Sequence, residues 1–302
     1  MLEALEKIRV PFLDRLMLLV TELGSETVLI ALGLILLWCV SKTLGRYLMS
    51  VGLTGIVLTQ WLKIVCAVPR PWVRKEDFTI VEAARAQAGG YSFPSGHSQS
   101  AAALFGCLGR WFKNRLVRGI CAVLTLLVMF SRMYLGVHTL WDVLVGCAIS
   151  LVLVFLFYPL FRDPKPGTVR RVLLGVLGLS ALFALFMSVC PFGADTDAEN
   201  LAEATRNAWT VLGASLGLYL AFEIDERFVH YDTRAPLFVQ AVKTVLGIGL
   251  VLALRVLLKA PLTALFGGHP AAGAVRYFVM CFFAAGIWPM TFPFFRRLGK
   301  RA

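Results

Sequence analysis

Three stretches of the chain carry residue types that could do chemistry on a phosphate. Lys63 is followed, after six intervening residues, by Arg70-Pro71; next comes Pro94-Ser95-Gly96-His97; last is Ser131-Arg132, with His138 six beyond the arginine and Asp142 four further. Phosphoryl transfer is mostly positioning plus stabilisation of charge on the equatorial oxygens. Lys63, Arg70 and Arg132 would supply that charge, the arginines in bidentate fashion. Ser95 can cap a helix opened after Pro94, and the free N–H groups of its first turn, with Gly96, would form an anion site. His97 would stand beside that site as proton donor to a leaving oxygen. His138 and Asp142 share one face if helical, so the carboxylate would accept Nδ1–H and leave Nε2 as a nucleophile. Plainer readings exist: a snorkelling Lys63, a headgroup-anchoring Arg70, an ordinary Pro-Ser-Gly loop, and a polar pair at a helix start. An ionisable His–Asp pair at a membrane boundary is, however, costly without a use.

The elements that must position these residues are membrane helices. Hydrophobic residues make up 58% of the 302 and charged residues 16%, with a mean hydropathy of +0.76. Soluble domains sit near half apolar and a quarter charged, so lipid must solvate much of this chain. Apolar runs long enough to cross the hydrocarbon core are expected near residues 24–41, 47–66, 96–111, 117–135, 138–161, 169–190, 208–223, 238–258 and 273–291. The fold class is therefore an all-α polytopic helical bundle. Ahead of it, Leu2, Leu5, Ile8, Phe12, Leu16 and Leu19 recur at helical steps against Glu3, Lys7, Asp14 and Arg15, which predicts an amphipathic helix over 1–23 lying in the interface. Nothing in residues 1–9 reads as a signal peptide.

The net charge of +12 does not point to nucleic acid, because Lys and Arg gather at the ends of apolar runs rather than in a stripe with aromatics. The seven cysteines lie mostly inside apolar runs and show neither metal-ligand nor disulfide spacing. Lys42 and Arg46, then Arg110, Lys113, Arg115 and Arg118, then Arg162, Lys165, Arg170 and Arg171, then Arg296, Arg297, Lys300 and Arg301 all fall on one side of a nine-span path. The positive-inside rule makes that side cytoplasmic. Asp195, Asp197, Glu199 and Glu203 fall on the other, and Arg70, Arg74, Lys75 and Arg85 are the exception there. All three motifs then sit at the outer ends of spans two to five.

With those residues in hand, the chain resembles the type-2 phosphatidic acid phosphatase superfamily of membrane lipid phosphatases. Every position of that family's three-part pattern is matched, from Lys63 to Asp142, and the resemblance covers roughly residues 24–190. It implies a six-span catalytic core without metal or other cofactor. By the same resemblance His138 forms a phosphohistidine and Asp142 orients it. His97 acts as acid and then base, while Lys63, Arg70, Arg132, Ser95 and the Gly96 backbone bind phosphate, with Ser131 in support. The implied substrates are lipid mono- or diphosphates held in the bilayer, undecaprenyl diphosphate foremost for an outward site in a bacterial plasma membrane, then phosphatidate or phosphatidylglycerophosphate. Residues 191–302, with about three further spans, depart from the minimal pattern. Two other readings stay open. One is a transporter or scramblase that keeps the phosphate site for binding, which would need the cations but not an activated histidine. The other is a vanadate-dependent haloperoxidase, whose solubility the hydropathy here opposes.

Overall fold

The computed structural model describes residues 1–193 and 196–298. Asp195, Lys300 and Arg301, and the side chains of Arg296 and Arg297, used above as charge markers, lie outside the described residues. Apart from its connections the described chain is helical, with no strand among the described residues, in the order α1 Leu2–Glu6, α2 Pro11–Glu22, α3 Glu26–Ile35 with a π-helical continuation to Val40, α4 Lys42–Cys66, α5 Pro71–Arg74, α6 Gly96–Phe112, α7 Arg115–Tyr134, α8 Leu140–Arg162, α9 Thr168–Val189, α10 Ala198–Ile224, α11 Leu237–Leu257, α12 Lys259–Leu265, α13 Ala271–Phe282 and α14 Phe292–Leu298.

Six helical segments among the described residues are long and apolar enough to cross a membrane, or seven if α2 and α3, bent by 46° at their junction, form one span. The protein is thus an integral membrane protein. The run expected at 96–111 is helix α6, 17 residues long, at the lower limit of the length that spans the hydrocarbon core. The run expected at 208–223 lies in α10, where Asn207, Thr210, Ser215 and Glu223 dilute the apolar residues. The amphipathic segment 1–23 is two helices, because Pro11 starts a new one with Val10 extended before it. Its face is not given wholly to the interface: Met17 and Thr21 are buried, while Phe12 and Leu19 stay exposed.

Contacts divide the chain into two compact units that are discontinuous in sequence, Met1–Ile30 with Thr54–Pro159 and Pro191–Ala204, and Ala31–Leu53 with Leu160–Cys190 and Thr205–Ala302. One edge of these units, at Cys190, falls at the expected boundary of 190, whereas none falls at 23; α3, α4, α8 and α10 each run through both units.

In the first unit, polar groups tie the helices together where lipid cannot help. Gln99 on α6 donates to Ser150 on α8 at 3.0 Å, and the Ser150 hydroxyl returns a bond to the Gln99 carbonyl at 2.7 Å. A Cβ at Gly146 would collide with the Ser95 carbonyl, so α8 approaches the start of α6 backbone to backbone. Arg9 donates to the Tyr134 carbonyl at 2.8 Å, and the Tyr134 hydroxyl donates to Asp14 at 2.9 Å. These bonds fasten the N-terminal segment to the end of α7. In the second unit, the Trp38 indole donates to the Ala284 carbonyl at 2.9 Å, and the hydroxyls of Ser180 and Ser215 meet at 2.8 Å between α9 and α10.

Candidate functional site

The three motifs converge in the first unit because each lies where a helix stops or starts. Helix α4 ends at Cys66, and Ala67, at φ +46°, turns the chain out of it ahead of Pro69 and Pro71, as two prolines so placed demand. Lys63 stays on the last turn of α4, and Arg70 folds back. Helix α6 opens at Gly96 with Ser95 as its cap, the Ser95 hydroxyl accepting from the Ser98 amide at 3.4 Å. Helix α7 ends at Tyr134 just past Arg132. Helix α8 starts at Leu140, later than the 138 expected, and the Asp142 carboxylate accepts the Thr139 amide at 2.7 Å in its first turn. His138 is thus in the connection rather than on the helix, yet its Nδ1 lies 3.4 Å from Asp142 Oδ2. The pairing read from the four-residue spacing is present, brought about by a turn.

Two further bonds join the motifs. The Ser95 amide donates to the Asp142 carbonyl at 2.9 Å, and the Ser92 hydroxyl donates to Asp142 Oδ2 at 2.6 Å. Asp142 therefore holds the entry of α6, its own helix start and the ring of His138 at once.

The cations are buried. Lys63, Arg70 and Arg132 are 8%, 5% and 0% exposed, and His138 and Asp142 are each 2% exposed. Lys63 donates to the Tyr91 carbonyl. Arg70 donates to the carbonyls of Gly89 at 2.6 Å, Gly90 at 2.9 Å and Val137 at 3.0 Å, and its Nη1 also stands 3.0 Å from His138 Nε2. That contact requires a lone pair on Nε2, since arginine only donates, and so puts the His138 proton on Nδ1, towards Asp142. Arg132 donates to the Thr21 hydroxyl at 3.1 Å and the Gln87 carbonyl at 3.4 Å, and its Nε is buried without a partner. His97 Nε2 is likewise buried without a hydrogen-bond partner, and a Cβ on Gly96 would meet nothing within 4 Å. Buried polar atoms are ordinarily satisfied, so these two unpartnered nitrogens and the open space at Gly96 are the features of the site left unfilled. Ser131 donates to the Val128 carbonyl at 2.7 Å, so its hydroxyl serves α7. Burial, then the charges of Arg70, Arg132 and Lys63, hold the His138 imidazole well below its ordinary range, which favours its neutral form at neutral pH. Among the described residues no group of three or more His, Cys, Asp or Glu side chains is placed to hold a metal ion.

Several contributors were not evident in the motifs. The Gly89-Gly90 pair supplies two of the carbonyls that hold Arg70; Gly90 has φ +65°, and a Cβ on Gly89 would collide with the carboxylate of Glu203. A Gly-Gly doublet five residues before Ser95 is a legible turn signal. Thr21 and Glu203 carry no such signal, as each comes from a segment outside the three motifs.

Comparison with known proteins identifies the family. Residues 43–165 match the PAP2 superfamily, and residues 209–301 match the PAP2 superfamily phosphatase transmembrane extension. The chain is 31% identical over 150 residues to undecaprenyl-diphosphatase BcrC of Bacillus subtilis, covering 48% of this chain and 74% of that one. It is 33% identical over 166 residues to phosphatidylglycerophosphatase B of the same organism, covering 49% and 75%. With sphingosine-1-phosphate phosphatase 1 of Mus musculus it shares 27% over 262 residues, 79% of this chain but 58% of that protein. The chain thus spans little more than half the length of that relative. An all-helical membrane fold and these matches place the protein in a class of integral membrane proteins, and the chain belongs to the PAP2 superfamily. The part of the chain from within α10 onward matches that superfamily's transmembrane extension.

Proposed function

We propose that the protein is a metal-independent lipid phosphatase that works through a phosphohistidine on His138, at the face of the membrane away from the cytoplasm. The observation that carries this reading is the placement of His138 between Asp142, 3.4 Å from Nδ1, and Arg70, 3.0 Å from Nε2. A phosphate entering beside Gly96 would take over the guanidinium of Arg70 and free the Nε2 lone pair. Nε2 then attacks phosphorus, an N–P bond forms, and the bond from phosphorus to the lipid oxygen, or to the leaving phosphate of a diphosphate, breaks. His97 gives its proton to the departing oxygen. It next takes one from a water whose oxygen attacks phosphorus, the N–P bond breaks, and inorganic phosphate leaves with His138 restored. Lys63, Arg70 and Arg132 meet the charge on the equatorial oxygens throughout, with Ser95 and the Gly96 backbone at the α6 entry. The three fixed cations supply the charge stabilisation that a metal ion would otherwise give, which is what supports the metal-free reading.

The outward placement rests on charge. Helices α4, α6, α7 and α8 each carry site residues at one end and Lys or Arg at the other, as with Lys42 and Arg46, Arg110, Arg115 and Arg118, and Arg162; the basic ends favour the cytoplasm. An outward site in a plasma membrane suits undecaprenyl diphosphate, the substrate named for one relative, with phosphatidylglycerophosphate or phosphatidate next. The test is phosphate release by purified protein in detergent with EDTA, from a panel of lipid mono- and diphosphates, beside His138→Ala. Release from one lipid class that falls by roughly 10⁴-fold or more in the variant is expected and names the substrate. Release that survives the substitution would remove the nucleophile assignment, inhibition reversed by Mg²⁺ would remove the metal-free one, and no release from any lipid would turn attention to binding or transport.

A further inference from the structure

At the far ends of α6, α7 and α8 from the motifs, the first unit has a groove of about 420 Å³. Gly96 and Arg110 are 14 residues apart on α6, which at helical rise is about 21 Å, so the groove belongs to the opposite half of the bilayer. Leu126, Leu151 and Phe155 form its apolar wall, with Gly106, Gly109 and Ala122 leaving it open. Its end is cationic, closed by Arg110 and Arg118.

The nine residues from Arg110 to Arg118 hold four cations and no acid. Among the described residues none of the four pairs with a carboxylate. Arg110 lies over the Tyr158 ring at 4.0 Å, which fixes its guanidinium at the groove, and its Nε is buried without a hydrogen-bond partner. Arg118 donates from Nε to the Gly109 carbonyl at 3.4 Å across the same end. Helix α7 also begins here, and the positive end of its dipole adds to the field. Two arginines anchored at the mouth of an apolar groove offer a phosphodiester between them and a channel for the hydrocarbon chain behind it.

We propose that this groove binds an anionic phospholipid of the leaflet opposite the phosphatase site, one acyl chain lying along α6 and α8 and the headgroup phosphate meeting Arg110 and Arg118. The net charge of the lipid decides occupancy, because basic recesses between membrane helices hold acidic headgroups while any lipid tail satisfies an apolar wall. The site is separate from the proposed chemistry and does not depend on it.

The experiment uses full-length protein extracted from vesicles of equal phosphatidylglycerol and phosphatidylcholine, with the retained lipid counted by native mass spectrometry. The wild type should retain phosphatidylglycerol by about tenfold or more over phosphatidylcholine. R110Q/R118Q should bring the ratio near one. R170Q/R171Q, the same charge change at another basic segment, should leave it as it was. A122W, on an exposed position of the groove wall, should lower retained phosphatidylglycerol by a similar factor with every arginine in place. No preference in the wild type, a preference that survives R110Q/R118Q or A122W, or an equal loss in R170Q/R171Q would overturn the proposal, the last by showing that overall charge alone is read.

Discussion

The two compact units bury cations in opposite ways. In the first, Lys63, Arg70 and Arg132 are held by the carbonyls of Tyr91, Gly89, Gly90, Val137 and Gln87 and the hydroxyl of Thr21; among the described residues no carboxylate pairs with any of them. In the second, Asp225, 3% exposed, takes Lys42 at 2.9 Å and Arg46 at 2.8 Å, and Arg46 also meets Glu226 at 2.8 Å. Lys243 is buried there on the Trp38 carbonyl at 2.8 Å, over the Phe292 ring, but it stands alone. A buried charge is expensive unless it is paired. Ionic pairing within the second unit neutralises its cations and makes them part of the fold. Three cations converging on neutral acceptors, with no carboxylate in direct contact among the described residues, leave a positive field that Asp142 and Glu203 only partly offset and that an incoming phosphate can complete.

That contrast can be broken by exchanging equal charges in the two units. Arg70→Gln should lower kcat/KM for phosphate release by roughly 10²- to 10³-fold, the usual cost of removing a preorganised donor to developing negative charge, and Arg132→Gln should be comparable. Arg46→Gln removes the same charge from the paired cluster and should leave kcat/KM of folded protein within about twofold, well inside the range of effects that miss the transition state. Equal losses for Arg70 and Arg46 would abolish the distinction. Asp225→Asn inverts the test: it strands Lys42 and leaves Arg46 with Glu226 alone, and loss of one partner from a buried pair costs roughly 3 kcal/mol or more. A lowered thermal midpoint with unchanged turnover of the folded fraction is expected. Lost turnover at an unchanged midpoint would mean that the second unit does chemistry.

A smaller effect concerns pH. In the free enzyme the nucleophile is active when unprotonated, and burial together with the charge of Arg70 holds His138 well below its ordinary range. The acid limb that His138 contributes to kcat/KM should therefore lie below about 6.5, the ordinary histidine value. Arg70→Gln should move that limb upward by removing a neighbouring positive charge. A limb that stays in place in the variant would separate Arg70 from His138.

Chemistry was more legible in the sequence than geometry. Lys63, Arg70, Ser95, Gly96, His97, Arg132, His138 and Asp142 could be picked out because few residue types handle phosphate and their spacing places them at helix ends. Apolar runs of about 20 residues announce themselves, so the helices were found near their expected positions. The connection between α7 and α8 was misjudged by two residues because Asp142 serves both as cap and as His138 partner, and hydropathy does not register capping. Thr21 was unreadable: an amphipathic pattern reports that a face is apolar, not whether lipid or protein covers it. The two-unit division was hidden as well, since it cuts across α4 and α8, and nothing along an uninterrupted helix marks where its contacts change.

Glu203 tests the contrast most finely, because it is an acidic group from outside the three motifs whose charge reaches two of the first unit's cations. Its carboxylate occupies the space a Gly89 side chain would fill, against the turn whose carbonyls hold Arg70, and its charge acts on both Lys63 and Arg70 without a direct pair. It therefore tempers the site without neutralising it. Glu203→Gln keeps the shape and removes the charge, so the turn and Arg70 stay in place while the field becomes more positive. Inorganic phosphate should then inhibit more tightly, by roughly threefold, as expected for one partly screened charge beyond contact distance. The lipid KM should fall with it, and kcat should fall or hold as the product leaves more slowly. A purely structural role would weaken phosphate instead, by loosening Arg70. Weaker or unchanged phosphate inhibition in this variant would therefore show that Glu203 acts on the site through packing, and that the first unit's cations are already as uncompensated as they can be.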